Sequence, residues 1–338
     1  MSTHPFAGRS TRILGMREVA ELIDVGEAIE SQRAAFRSLA AGTVTSTPNL
    51  WLRLPDQERR RGWLKILAGH DSVTEALGVK VLARFADNPP GANLGGLILL
   101  FDEENGFPQA IVDAVLITGM RTGAGAGLAT AALAAPDARQ LGVVGTGVVA
   151  WHSIQATLLA RPSIEFVTVY SRSAERREAT AARIASELGV AARAVDTVER
   201  AVDGAEVLIT ATNSPEPILG LEHVSPGVHI NAMGIRTELA PAVVAASWVV
   251  PDGVEEALAD GKFSIALEAG AVSRESLGPQ LGELLDGSLH HRPGRTTLFD
   301  SSGVVVQDLA LARRVLERAE AAGTGVLVDL GLAEELVR

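Results

Sequence analysis

The sequence predicts an α/β protein: a doubly wound parallel sheet inserted in a mixed α+β domain. Three observations carry that expectation. Between residues 138 and 261, short apolar runs alternate with helical stretches, as in a parallel sheet covered by crossover helices. The first of these runs flows directly into Gly145-Thr146-Gly147, a glycine turn between strand and helix. The flanking segments show alternating strands and hairpin signals instead, and the chain closes on a long amphipathic helix. The expected boundaries are residues 1–135 with 300–338 for the mixed domain and 136–299 for the doubly wound one.

The elements follow in order. Apolar spacing at Ile29, Ala35, Phe36 and Leu39 predicts a helix over 25–41, stopped by Gly42. Strand-like runs follow at 50–54, 63–67, 79–85 and 97–101. Asp102-Glu103-Glu104-Asn105-Gly106 then predicts a hairpin turn into 109–112. Glu58-Arg59-Arg60-Arg61-Gly62 reads as a loop tip, a solvated turn before it is a basic anion site. Arg121 and Thr122 are expected just before a close-packed small-residue helix over 123–135. In the doubly wound segment, strands are expected at 141–145, 165–170, 191–195, 206–211, 228–233 and 247–251, with helices after Gly147, Ser173 and Asp196. The last helix, 305–322, presents Val306, Leu309, Leu311, Val315 and Leu316 to a partner element. It is expected to return to the first domain.

Bulk properties narrow the function. The 338 residues leave room for two domains and a substantial core. A net charge of −11 disfavours non-specific binding to nucleic acid or anionic membrane. The absence of cysteine excludes disulfides and thiolate chemistry and fits a reducing compartment. With no apolar leader and no run of membrane-spanning length, the chain reads as soluble and cytoplasmic. The only histidine pair, His290-His291, points its rings in different directions, so no metal site is expected.

Gly145, Gly147 and Ala150 form a G-x-G-x-x-A turn, the Rossmann pattern that brings backbone N–H groups against a dinucleotide pyrophosphate. Gly145, Thr146, Gly147, Val148 and Val149 are the residues of this turn expected to bind the cofactor. The next strand ends in Ser171-Arg172-Ser173, with Arg176 beyond, where NAD-preferring sites carry an acidic residue. Hydroxyls and guanidinium groups suit a 2′-phosphate, which favours NADP(H) over NAD(H). Ser173 as a helix cap with solvated arginines is the competing reading, and both can hold at once.

Several segments together resemble the ornithine cyclodeaminase/mu-crystallin family. They are Gly78-Val79-Lys80, Leu99-Leu100-Phe101-Asp102 with Gly106, Arg121-Thr122-Gly123-Ala124, the glycine turn, Ala211-Thr212-Asn213-Ser214 with Pro217, the run from Pro226 to Gly234, and Phe299-x-Ser301-x-Gly303. The resemblance implies a homodimer whose N-terminal part binds substrate and dimerises, with a Rossmann domain carrying the nicotinamide. The family's shared chemistry is hydride exchange between a nicotinamide and the α-carbon of an amino acid or its imine.

By that resemblance Lys80 faces the substrate, near its carboxylate and reacting nitrogen. A partly buried ammonium with lowered pKa would move a proton near neutrality; without the resemblance, a lysine snorkelling from an edge strand is the default. Arg121 corresponds to a clamp on the substrate carboxylate, with an exposed arginine at a helix start as the alternative. Thr122 would meet the cofactor. Thr212, Asn213 and Ser214 would line its adenosine and ribose portions, and Met233, Gly234 and Ser301 would border the nicotinamide. Asp102 and Asp308 read as structural residues of a turn and a helix face.

Two departures matter. The family often carries a carboxylate-gripping arginine after a proline where this chain has Asn49; Arg53, of the same strand parity, is its candidate replacement. Between Gly234 and Glu238-Leu239 the chain has only Ile235-Arg236-Thr237, without the aspartate that the cyclodeaminases use for the second amino group. The sequence therefore favours NAD(P)H-dependent reduction of an α-imino acid (ketimine or cyclic imine). The alternatives are an NAD-dependent cyclodeaminase releasing ammonia and a non-catalytic NADPH-dependent binding protein of crystallin type.

Overall fold

The computed structural model describes residues 6–54, 62–85, 87–89 and 92–332; the expected loop tip at Glu58–Arg61 lies outside them. In chain order the elements are β1 (Thr11–Leu14), α1 (Met16–Leu22), α2 (Val25–Ala41), β2 (Val44–Ser46), β3 (Leu50–Arg53), β4 (Gly62–Asp71), β5 (Ala76–Phe85), β6 (Leu94–Phe101), β7 (Pro108–Asp113) and α3 (Ala114–Leu133). They continue with β8 (Gln140–Val144), α4 (Val148–Ala160), β9 (Phe166–Tyr170), α5 (Ala174–Arg183), β10 (Ala191–Val195), α6 (Val198–Val202), β11 (Val207–Thr210), β12 (His229–Ala232), α7 (Pro241–Ala245) and β13 (Trp248–Pro251). The chain ends with α8 (Val254–Asp260), α9 (Lys262–Glu268), β14 (Thr297–Asp300), α10 (Val305–Ala322) and β15 (Val326–Val328). None of the described helices is long and apolar enough to cross a membrane.

The chain forms two compact units. The first comprises residues 1–27, 41–118 and 305–338. Its mixed sheet runs β15-β1-β7-β6-β5-β4-β2, with β3 also paired to β4. The β6–β7 hairpin turns at Asp102–Gly106: Gly106 donates to the Asp102 carbonyl at 2.8 Å, and Arg9 grips the Asp102 carboxylate at 2.6 Å. That guanidinium holds the carboxyl below its ordinary range. Helix α10 packs across β4, β5 and β6. Close approach is possible because glycines face it: a Cβ on Gly78 would meet Leu309 at 2.9 Å, and one on Gly69 would meet Val305 at 2.5 Å.

The second unit comprises residues 28–40 and 119–304. Its seven strands, in the order β10-β9-β8-β11-β12-β14-β13, are all parallel. The inner strands are buried on both faces, which is why they read as unbroken apolar runs rather than alternations. This is a Rossmann-type doubly wound sheet, as the sequence predicts. The sequence reading omits β14, which inserts between β12 and β13 although it follows both in the chain. Its four residues were legible only as a motif.

One local expectation is corrected. Helix α3 starts at Ala114, nine residues before Gly123, so Arg121 and Thr122 sit in its interior and are buried. The start is masked in sequence because β7 passes into the helix without a break, and Asp113 is both last strand residue and cap, its carboxylate accepting from Leu116 N–H at 2.7 Å. The helix then packs tightly on α4: a Cβ on Gly123 would lie 2.3 Å from the His152 carbonyl carbon, and one on Gly127 2.8 Å from the Ala156 carbonyl oxygen.

Candidate functional site

The second unit builds a cradle where its strand order reverses, between β8 and β11, the place where doubly wound sheets bind ligands. Gly145 adopts φ +126°, and a Cβ there would sit 2.5 Å from the Ala211 carbonyl oxygen. No other residue fits. Gly147 differs: it starts α4 without any side-chain cap, and a Cβ on it would meet nothing within 4 Å. The first-turn N–H groups of α4, those of Val148 and Val149 among them, therefore have no capping side chain at the positive end of the helix, the arrangement that receives a phosphate.

At the end of β9, Ser173 caps α5 by accepting from Arg176 N–H at 3.3 Å, and Arg177 donates to the Ser171 carbonyl at 3.1 Å. Arg172 and Arg176 are exposed. The capping role is thus present, and the two guanidinium groups remain open to solvent beside it.

Beyond β11, Thr212, Asn213 and Ser214 form a loop organised by a residue that the sequence reading passed over. The buried Glu238 carboxylate accepts from Gly234 N–H (2.7 Å), Thr210 Oγ1 (2.9 Å), Thr212 N–H (3.0 Å) and Thr212 Oγ1 (3.1 Å). Burial pushes this carboxyl above its ordinary range, against the pull of Lys262 and of these donors. Gly234 has no substitute, because a Cβ would lie 2.1 Å from Glu238 and 2.4 Å from the Thr212 carbonyl. Residues 235–237 make one tight turn in which Ile235 N–H donates to the Thr212 carbonyl at 3.1 Å.

A second buried group holds the ends of β12, β13 and β14. Lys262 Nζ donates to the carbonyls of Ala232 (2.7 Å) and Ser301 (2.9 Å), with the Asp300 carboxylate at 3.6 Å. Met233 and Ser301 follow directly on those strands and are themselves buried. Asp252 Oδ2 accepts from Gly303 N–H (2.7 Å), Ser302 N–H (2.8 Å) and Ser301 Oγ (3.3 Å). Gly303, at φ +88°, leaves room for Arg121: a Cβ would sit 2.9 Å from its guanidinium. Burial raises the Asp252 pKa; neighbouring Asp300 raises it further, while the Gly303 N–H, Arg121 and Lys262 act to lower it. Arg121 is therefore seated on a turn that Asp252 fixes. Neither acid nor Lys262 carried a sequence signal, since their roles exist only once three strands lie side by side.

In the first unit Lys80 is 1% exposed and donates to Asp308 Oδ1 at 2.6 Å. The expectation of a partly buried lysine is corrected here to full burial. Asp308, read from sequence as a helix-face residue, is its counter-ion. Arg53 lies on the same sheet face: it stands opposite Trp63, and four residues further along that strand Leu67, of the same parity, stands opposite Lys80. Asn49 precedes β3 and is half-buried.

With this geometry in view, comparison with known proteins is informative. The profile of the ornithine cyclodeaminase/mu-crystallin family matches residues 9–323. The chain belongs to that family. The solved Δ1-pyrroline-2-carboxylate reductase of Thermococcus litoralis, in complex with NADH and L-proline, superposes with a TM-score of 0.88 at 28% identity, covering 94% of this chain and 99% of that one. An archaeal alanine dehydrogenase dimer with bound NAD gives 0.86 at 28%, covering 95% and 99%. The iminosuccinate reductase of Paracoccus denitrificans in complex with NAD+ gives 0.85 at 29%, covering 95% and 100%. These ornithine cyclodeaminase/mu-crystallin relatives are nicotinamide-linked enzymes of amino and imino acids.

Proposed function

We propose that the protein reduces an α-imino acid to the corresponding amino acid with NADP(H), NAD(H) being the less favoured cofactor. The observation that carries the reading is the open, uncapped start of α4 at the reversal point of the sheet, in a chain that also buries a lysine–aspartate pair on its other sheet. When bound, the nicotinamide supplies or accepts a hydride. Gly145, Thr146, Gly147, Val148 and Val149 would receive its pyrophosphate; Thr122, Thr212, Asn213, Ser214, Met233, Gly234 and Ser301 would line the rest. Arg121, held on the Gly303 turn, would clamp the substrate carboxylate through its planar fork. Lys80 would keep the imine nitrogen protonated, and the Lys80–Asp308 contact fixes where its ammonium stands; a cationic iminium accepts hydride more readily.

The absence of a carboxylate at Ser171–Ser173, with Arg172 and Arg176 exposed beside it, supports NADP(H). Replacing Ser171 by Asp together with Arg172→Ala should move the NADPH/NADH ratio of kcat/KM at least 10-fold towards NADH, read by absorbance at 340 nm. The turn at 235–237 carries no acid, and Glu238 is buried within its own donors, which speaks against a grip on a second amino group. Ammonia release from a diamino acid on tightly held NAD+, with no oxidation of added NADPH by any imine, would overturn the reductase reading. Binding of NADPH and small molecules with no turnover, and no effect of Lys80→Ala, would point to the crystallin-type reading.

The assembly is proposed as a homodimer through the first unit. The face of its sheet opposite Lys80 carries Leu50, Leu52 and Leu97, each more than half exposed, in register with Ile66, Leu64 and Val81. Such a contiguous apolar face calls for a cover, and the dimeric alanine dehydrogenase relative points to a second copy as its occupant.

A further inference from the structure

The buried carboxylate of Glu238 draws its donors from two places. Oε1 accepts from Gly234 N–H, just past β12, and from Thr210 Oγ1 at the end of β11. Oε2 accepts from the N–H and the hydroxyl of Thr212, just past β11. The backbone of Glu238 is tied to the same region: its carbonyl accepts from Ile218 N–H at 2.8 Å, and its N–H donates to the Ile235 carbonyl at 3.1 Å. Beside it, Thr237 Oγ1 donates to the Ser214 carbonyl at 2.8 Å. Two consecutive side chains therefore hold residues 212 and 214, with the exposed Asn213 between them. From the other side, Ala211 lies against the glycine turn. Its N–H donates to the Val144 carbonyl at 2.9 Å, and its carbonyl oxygen leaves no room for a Cβ on Gly145. The loop is pinned between that turn and the Thr237–Glu238 pair.

A buried carboxylate is a costly way to join two strand ends, because apolar packing would do so without the desolvation penalty. What the carboxylate adds is direction: each oxygen takes two hydrogen bonds, and together they fix the backbone N–H groups of Thr212 and Gly234. Glu238 is 0% exposed, so a ligand meets the loop and not the acid. We propose that Glu238 is a positioning residue for the dinucleotide: with Thr237, it sets Thr212–Ser214 and Gly234 in the binding arrangement before the cofactor arrives. A loop ordered in advance spares the ligand the cost of ordering it, so the contribution of Glu238 is read in affinity. The inference rests on the dinucleotide reading above.

The test measures NADPH affinity by fluorescence, together with the urea midpoint, in the wild type and in four variants. Glu238→Gln keeps the size but offers one acceptor oxygen, so its NH2 group faces the donors of the other oxygen. Its NADPH Kd should rise at least 10-fold. Thr237→Val should raise Kd severalfold, and Thr237→Ser, which keeps the hydroxyl, should restore it. Thr168→Val is the control for stability: Thr168 is buried in β9, and its Oγ1 donates to the Ala201 carbonyl at 2.7 Å. That variant should lower the midpoint and leave Kd within about twofold of wild type. The losses in Glu238→Gln and Thr237→Val should combine to less than their product in the double variant, because both act on one loop. An unchanged Kd in Glu238→Gln overturns the proposal, as does an equal loss of affinity in Thr168→Val. Thr237 is only half-buried, so if Glu238→Gln fails to fold, an unchanged Kd in Thr237→Val decides against the proposal. A wild-type protein that binds neither NADPH nor NADH overturns the dinucleotide reading and this inference together. Wild-type binding that is indifferent to Glu238→Gln removes this inference alone.

Discussion

At the scale of single residues, the Lys80–Asp308 pair is the most consequential contact. Removing one partner of a buried ion pair leaves the other charge without compensation, at a cost of about 3–5 kcal/mol, whereas replacing both by apolar groups is often neutral. Asp308→Asn should therefore lower the urea midpoint strongly, and Lys80→Met with Asp308→Leu should recover most of it while activity stays lost. The sequence singled out the lysine, conspicuous in an apolar strand, but no local pattern could bring forward an aspartate 228 residues away. His229 offers a second test. Its Nδ1 meets Thr297 Oγ1 at 2.8 Å and its Nε2 meets Asn231 Oδ1 at 3.2 Å, while Asn231 Nδ2 donates to Thr130 at 2.9 Å. Burial pushes its pKa down to about 3, a shift that the Asn231 contact opposes and nearby Arg161 and His291 reinforce. The folded state thus refuses a proton that the unfolded chain takes up near pH 6.5, so stability from this group is full above that value and is lost as pH falls towards 3. Chemical denaturation between pH 6 and 4 should show a slope about 1.4 kcal/mol per pH unit shallower in His229→Gln than in the wild type.

At the scale of elements, the glycine turn separates folding from binding. Gly145→Ala strains the backbone and collides with Ala211, so it should lower both the melting temperature and dinucleotide affinity. Gly147→Ala meets no protein atom, so the melting temperature of the free protein should stay within about 1–2 °C of wild type while NADPH binding, followed by fluorescence, falls at least 10-fold. Equal losses of stability in both variants would place the ligand elsewhere. The periodic elements were readable: α2 and α10 begin and end where apolar spacing and Gly42 place them, and the six anticipated strands of the parallel sheet are all present. What escaped lacked local punctuation. The start of α3 hides behind a strand that runs straight into it, and β14 takes its place by pairing with strands drawn from earlier in the chain. The acids and the lysine that organise the cradle, Glu238, Asp252 and Lys262, escaped for the same reason: their partners are backbone groups of neighbouring strands, invisible until the sheet is assembled.

At the scale of the whole molecule, the homodimer reading is checked by light scattering. Leu97→Glu with Leu52→Glu should shift the mass towards a single chain, whereas an unchanged mass would put the interface on another surface. Chain order sets a further constraint. The first unit is left open after residue 118 and takes up the chain again only at 305. During synthesis at about 5–20 residues per second, Lys80 leaves the ribosome roughly 10–50 s before the aspartate that neutralises it. For that interval β4, β5 and β6 lack their covering helix, whereas every strand of the inserted sheet, β14 included, precedes α10 in the chain. Completion is therefore announced by α10, and a message or protein cut short before it yields a chain able to order its Rossmann sheet yet unable to close its lysine-bearing one. Quality control that recognises exposed apolar strands would discard that product without inspecting the active site.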